Sequence, residues 1–427
     1  MRRAVSFNIR QFALTMVMVN FLVDPSNAVF GTKMFTLGFF VLINNFKISC
    51  SRMSFVSFFV SYLVFAMASL NMMTRALPFD NVFWKTYSTT FLFLILLFYT
   101  KSPFLDYYVP FLASAIIIAI ATIILRISIS ISPEIGLVLG SNARFASMFY
   151  YTPNRALLGL WIPALFHMSS PILIIAFAVN FLRASTKHDL RAFFLSLMFA
   201  IAIMISGTRA NIFGLGFEIA ILTAHRLWRK KRYGTLIFSV IAIAFLGIVL
   251  TTMLLGSDDS STLAKMGSGS SIIQYISDDA NTFFFGMGPG SYYYSEGYHR
   301  DTTISELSYL ELLRMFGLLG FFLLMAVFLG PLAKFSRNKG PIEYSIFTSY
   351  IVYLMIAGTN PLLIGPTGFS VLALVTYMTT KNKHRENMGS CLLIEDIEAP
   401  VSSRGAYSGQ SCHHSPLSQY RSHPKGG

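Results

Sequence analysis

The sequence predicts an all-α, polytopic integral membrane protein with about twelve transmembrane helices. Three observations carry this reading. The chain of 427 residues is 54% hydrophobic and only 12% charged, roughly half the ~25% charge of a soluble domain. Its mean hydropathy is +0.59. Apolar runs close to membrane-spanning length recur along the chain, separated by short polar segments. Lipid satisfies no backbone polar group, so such runs are helices unless they close a barrel.

In order, the predicted spans are 11–23, 34–46, 54–72, 86–100, 107–125, 157–182, 192–206, 211–225, 234–255, 307–330, 342–358 and 363–380. Their flanking charges fix an orientation. With the N-terminus inside, twenty Lys and Arg fall in cytoplasmic segments before the C-terminal tail, against nine on the other face, the bias that the positive-inside rule describes. Both termini are then cytoplasmic and the protein is multi-pass. The net charge of +14 serves this topology and does not point to nucleic acid. Cys50, Cys391 and Cys412 have no disulfide or metal-site spacing. "MRRAVSFNIR" ahead of the first apolar run reads as a cytoplasmic start rather than a cleavable signal.

The organisation expected is a helical membrane domain over 1–380 and a polar, Ser-rich, disordered tail over 381–427. Two segments on the non-cytoplasmic face are long, 126–156 and 256–306. The second opens on "GSDDSSTLAKMGSGSS", a flexible Gly/Ser stretch.

Arginines on that face run against the topological bias. Arg126, Arg144, Arg155, Arg209 and Arg300 can snorkel from helix ends, or together grip an anionic group near the membrane surface, since a guanidinium fork matches phosphate oxygens. Arg209 stands out. "MISGTRANIFG" holds it in a turn between two apolar runs, where an ionisable group points to function; the alternative is a plain hairpin turn with Gly207 and Asn211 as turn residues.

The stretch "GMGPGSYYYSEGYHRDTTISELSYLELLRMFGLLG" concentrates the remaining chemistry. Gly286, Gly288 and Gly290 can bring backbone N–H groups to a phosphate or simply shape a turn, and they fit neither the P-loop nor the dinucleotide pattern. Tyr292, Tyr293 and Tyr294 can stack on sugar rings or anchor an interface. His299 can act as a base or be an exposed loop residue. Thr303 to Glu306 fit a capping box for the next helix. Inside that helix Glu311 and Arg314 stand three apart and can pair. Glu218 has no evident partner. Asp258–Asp259 and Asp278–Asp279 read as solvated carboxylates, with no metal cluster.

Two stretches together, "SGTRANIFGLGFEIAI" (206–221) and "GMGPGSYYY…ELSYLELLRMFGLLGFFLL" (286–324), resemble the bacterial O-antigen polymerase and O-antigen ligase family. Its members share a small–Arg–small periplasmic turn, then a late periplasmic loop opening on G-x-G-x-G and closing on a "YLELL…GLLG" helix. The resemblance implies a fold similar to integral-membrane glycosyltransferases that use lipid-linked sugars, set in the bacterial inner membrane. It implies transfer of a glycan from an undecaprenyl-pyrophosphate donor, with no cofactor, by an inverting, metal-independent displacement. A polysaccharide chain-length regulator is a further partner it suggests.

Carried onto this chain, the resemblance puts Arg209 near the pyrophosphate, with Arg144, Arg155, Arg300 or Arg314 in support. It gives Gly286, Gly288, Gly290 and Tyr309 substrate contacts. Ligase-like members often carry His-Asn just before the aromatic–Leu pair. The matching positions here are Glu306 and Leu307, with His299 seven residues upstream of Glu306. That departure favours a polymerase with Glu306 as base and His299 as second choice. A ligase acting on lipid A–core, or a flippase for lipid-linked oligosaccharide, is the alternative.

Overall fold

A helix that is apolar on every side suits either the centre of a bundle or a face against lipid. Both kinds occur here. In this computed structural model the described residues are 8–26, 31–142, 148–157, 160–229, 231, 260–335, 340–358 and 363–387, without the side chains of 153–163, 229, 260–262, 341 and 382–387. Helix makes up 74% of the structure.

The first half holds α1 (Ile9–Val23), α2 (Lys33–Ile43), α3 (Arg52–Thr74), α4 (Asn81–Leu92, continued as a 3-10 turn over Phe93–Tyr99), α5 (Tyr108–Ile131) and α6 (Pro133–Ser141). An antiparallel hairpin follows, β1 (Phe149–Leu157) and β2 (Leu160–His167). The second half holds α7 (Ile172–Lys187), α8 (Leu190–Ile205), α9 (Arg209–Arg229), α10 (Ser260–Ser277), α11 (Ala280–Phe285), a short hairpin β3 (Tyr293–Ser295) and β4 (Arg300–Thr302), α12 (Ser308–Ala333), α13 (Pro341–Ala357) and α14 (Pro366–Asn387). Met1–Lys383 form one compact unit.

Helix α7 is buried almost throughout, from Ile172 to Asn180. It packs against α8, α9 and α13. Helix α14 buries Phe369, Val371 to Val375 and Tyr377. By contrast α3 exposes Phe55, Phe59, Leu63 and Leu70, and α8 exposes Phe193, Phe194, Leu197 and Ile201. Large apolar faces of this extent are lipid-facing surfaces. Four helical segments are long and apolar enough to cross a membrane: Arg52–Thr74, Asn81–Tyr99, Tyr108–Ile131 and Ser308–Ala333. The protein is membrane-embedded, with shorter apolar helices completing the bundle. Four such helices among the described residues do not establish the expected count of about twelve, and the span at 234–255 lies outside those residues.

The structure corrects several boundaries. The span expected at 157–182 is strand β2, a turn and only then α7. Pro163 would break a helix there. Instead it stands opposite Pro153 and Asn154, where the register shifts between Thr152 and Arg155, a bulge that tolerates a missing N–H. Residues 126–141, expected in a loop, extend α5 and form α6. The Gly/Ser stretch expected to be flexible contributes to α10, because its small residues allow close packing: a Cβ on Gly267 would lie 2.7 Å from Gly297 N. The capping box at 303–306 is absent. The N-cap of α12 is Leu307, with no side-chain cap. Helix α14 runs past residue 380 to Asn387, and the rest of the tail lies outside the described residues.

The span expected at 307–330 is also interrupted. Gly317 adopts φ +63° and ψ −176° inside α12, a conformation reserved for glycine. A Cβ there would collide with the Phe284 backbone. The break frees the carbonyls of Arg314 and Met315. Met287 N donates to the first (2.8 Å) and Gly288 N to the second (3.0 Å). The glycine-rich loop thus replaces the helix's own hydrogen bonds, which a helix end buried in protein requires.

Candidate functional site

Two neighbourhoods hold the residues that the sequence singles out. The first is the turn before α9. Gly207 takes φ +62°, and a Cβ there would lie 2.9 Å from Ala164 Cβ of β2. The turn is therefore pressed against the hairpin. Ser206 Oγ donates to Ile203 O (2.6 Å) and accepts from Thr208 Oγ1 (3.1 Å). Arg209 is the first residue of α9 and half-buried, so its guanidinium adds to the positive end of a helix.

Beside this turn lies a buried polar network outside the sequence-based candidates. Asn211 Nδ2 donates to Ser170 Oγ (2.8 Å) and Thr367 Oγ1 lies 2.9 Å from Ser169 Oγ. His167 sits between them and α1. Its Nδ1 accepts from Ser169 N (3.0 Å), so its Nε2 carries the hydrogen and donates to Val23 O (2.9 Å). Burial outweighs that bond and the nearby Asp24 carboxylate and pulls its pKa down to about 4, so the ring is neutral. The segment "FHMSSP" was hidden inside the expected 157–182 span. Three polar residues, His167, Ser169 and Ser170, interrupted by one Met and closed by Pro171, were the available signal.

The second neighbourhood is the loop over α12. Gly286, Gly288 and Gly290 have φ of +79°, +90° and +83°. A Cβ on them would press on the Met315 backbone, on Met72 and Ala68 of α3, and on Asp80 of the α3–α4 turn. The N–H groups of 286, 287, 288, 291 and 292 all donate to backbone carbonyls. Architecture, not an open anion cradle, accounts for these glycines.

Arg314 is wholly buried. Its Nε and Nη2 bond Glu311 (2.9 and 2.7 Å), Nη2 also reaches Thr303 O (3.0 Å), and Nη1 reaches Ser291 O and Oγ (3.0 and 2.8 Å). A guanidinium has five N–H donors, and all five are spent. The Tyr293 ring lies against it at 4.7 Å. Against the expectation of a substrate contact, Arg314 has no donor left for a phosphate and clips the loop to α12. Tyr309 OH likewise donates to Leu354 O (2.6 Å), bracing α12 on α13.

Glu306 sits at the rim, its side chain 44% exposed. Tyr298 OH donates to Oε1 and Lys265 Nζ pairs with Oε2, both at 3.0 Å. Burial first, then the Glu306 carboxylate, raises the Tyr298 phenol above its usual range, so it remains a donor. His299 and Arg300 lie exposed at the end of the β3–β4 hairpin, His299 with φ +50°. Arg155 pairs with Ile162 in the β1–β2 ladder, its side chain undescribed. Arg144 and Asp258–Asp259 lie outside the described residues.

Of the other flagged carboxylates, Glu218 is buried and accepts from Thr348 and Ser349 of α13, each at 3.0 Å. Asp279 caps α11 and pairs with Arg75 at 2.6 Å. The Thr282 hydroxyl is the main cause of its pKa falling to about 2.

The two neighbourhoods share a frame. Tyr309 bonds Leu354 and packs on Gly358 at the end of α13, while Gly214 of α9 packs on Ile356. Thr367, at the start of α14, joins the Ser169 network. Helix α9, which starts at Arg209, and the Tyr309 segment of α12 therefore both pack on the C-terminal part of α13.

Set against known proteins, the sequence matches no protein-family model and no curated protein. Fold and site define a class: a mostly helical, membrane-embedded protein with an interrupted helix and a loop-built polar layer at one end of its bundle.

Proposed function

We propose that the protein is a bacterial inner-membrane glycosyltransferase that polymerises undecaprenyl-pyrophosphate-linked oligosaccharide repeats on the periplasmic face, with both termini cytoplasmic. The product is a surface polysaccharide: O-antigen, capsule or exopolysaccharide. One observation carries the reading: the two motifs behind the family resemblance pack on one helix, α13, although they lie far apart in sequence.

On this reading Arg209 and the N-terminus of α9 offset the pyrophosphate charge, the largest demand in a displacement whose leaving group is an anion. Arg144, Arg155 and Arg300 remain candidates for support. Arg314 is assigned to loop architecture, with Gly286, Gly288, Gly290 and Tyr309. Glu306 receives the acceptor hydroxyl's proton. The acceptor replaces the Tyr298 hydroxyl at Oε1 while Lys265 holds Oε2, which keeps the carboxylate aimed. His299 is the second candidate base.

Arg209→Ala and Glu306→Gln are each expected to abolish long-chain polysaccharide at unchanged protein level. Normal chain-length ladders in both variants would overturn the assignment.

The break at Gly317 favours a second reading, a flippase, because transporters place substrate at interrupted helices. The freed carbonyls here are already bonded to Met287 and Gly288, which weighs against an ion or substrate site. A deletion strain separates the two. A polymerase defect leaves single repeats on the cell surface; a flippase defect leaves none.

A further inference from the structure

Helix α10 and the β3 hairpin pack through one face each and diverge on the other. Ile272 and Ile276 of α10 meet Met287 and Tyr293 in a small apolar core, tied by Ser268 Oγ to Tyr293 OH at 2.8 Å. Along α10, Ser271, Gln274 and Tyr275 share one face, and Asp278, the residue after its end, continues that stripe, its N–H donating to Gln274 O (3.0 Å). On the hairpin, Tyr294 and Glu296 are two apart and share a face. These six residues line a groove of about 330 Å³, at the lower end of the ~300–1,000 Å³ of small-molecule sites. The groove is built rather than incidental. Tyr294 N donates to Tyr275 OH (3.3 Å) and Glu296 N to the buried Ser271 Oγ (3.0 Å). Both tyrosines are open, 38% and 46% exposed.

We propose that this groove binds a saccharide free of acidic groups. Exposed tyrosine rings offer flat apolar surface to the C–H face of a pyranose. Asp278, Glu296 and Gln274 accept from, or bridge, sugar hydroxyls. The lining holds two carboxylates and no cation, so a uronic acid is repelled. As a holding site for the growing glycan the groove rests on the polymerase reading; its binding selectivity does not.

Saturation-transfer NMR on the full chain in nanodiscs tests it with three soluble probes: maltohexaose, chitohexaose and hexagalacturonate. Transfer is expected to at least one neutral probe and not to hexagalacturonate. Tyr294→Ala should weaken neutral binding about tenfold, the factor carried by 1.4 kcal/mol. The isosteric pair Asp278→Asn and Glu296→Gln, which keeps shape, should admit hexagalacturonate. No transfer to either neutral probe, equal transfer to the acidic one, or binding indifferent to Tyr294→Ala overturns the groove. The polymerase reading fails separately, if a deletion strain retains long chains while neutral probes still bind. Binding lost in Tyr294→Ala with shortened chains supports both.

Discussion

The Arg209 turn and the glycine loop over α12 look alike in sequence, each pairing left-handed glycine with arginine near an apolar helix. They use those residues in opposite ways. In the loop, glycines admit close backbone contact, every bonded N–H is turned inward, and Arg314 spends all five donors on Glu311, Ser291 and Thr303. In the turn, one glycine seats the chain on Ala164 and leaves Arg209 half-buried at a helix head. Residue type does not separate a strut from a ligand. Burial does: Arg314 is wholly buried and Arg209 only half-buried.

The contrast can be broken most forcefully at Arg314. Arg314→Met strands the Glu311 charge in a buried site, a loss of about 3–5 kcal/mol, read as a collapse of thermal stability in detergent. Arg209→Ala should leave that stability nearly unchanged while removing long-chain product. If Arg314→Met melts like the parent, the strut assignment is wrong. Next in size is Gly317→Ala. Forcing a Cβ onto φ +63° against Phe284 should cost on the order of 1–3 kcal/mol. A variant as stable as the parent would mean that the break in α12 is not built in.

The His167 network gives a pH test of intermediate size. Its folded-state pKa, about 4, lies below the ordinary ~6.5. The unfolded chain therefore binds the extra proton first. The neutral form's stabilisation is complete above the ordinary value and is lost as pH falls from there towards 4, at up to about 1.4 kcal/mol per pH unit. Unfolding midpoints measured across that window should fall more steeply for the parent than for His167→Gln; parallel curves would refute the buried neutral ring.

Smallest is Asp279→Asn. Asp279 is depressed to about 2, so its contribution is present above the ordinary ~3.9 and lost as pH falls through 2. At neutral pH the exposed cap and ion pair are worth about 1 kcal/mol or less. The difference from the parent should close in acid, which melting curves at pH 7 and pH 2 would show.

Much of the helical frame was legible. The runs expected at 54–72, 192–206 and 342–358 match α3, α8 and α13 within two residues at each end. Ser51 and Asp189 cap the first two. Prolines and small residues misled. Pro163 marked a bulged strand rather than a flaw in a span, and "GSGSS" marked close packing rather than slack. In the candidate site, the pairing of Glu311 with Arg314 followed from helical spacing. The partners of Glu306 did not, because a capping box explained the same residues locally.

Hydropathy is a local property, so the sequence by itself determined that the chain is helical, apolar and embedded in a membrane. Hydrogen-bond satisfaction is not local. Asp279 meets Arg75 across 204 positions, Thr367 meets Ser169 across 198, and two loop N–H groups complete a helix that Gly317 breaks. Only the tertiary structure decided that Arg314 is consumed as a strut, because a donor's availability depends on every acceptor that folding brings within about 3 Å.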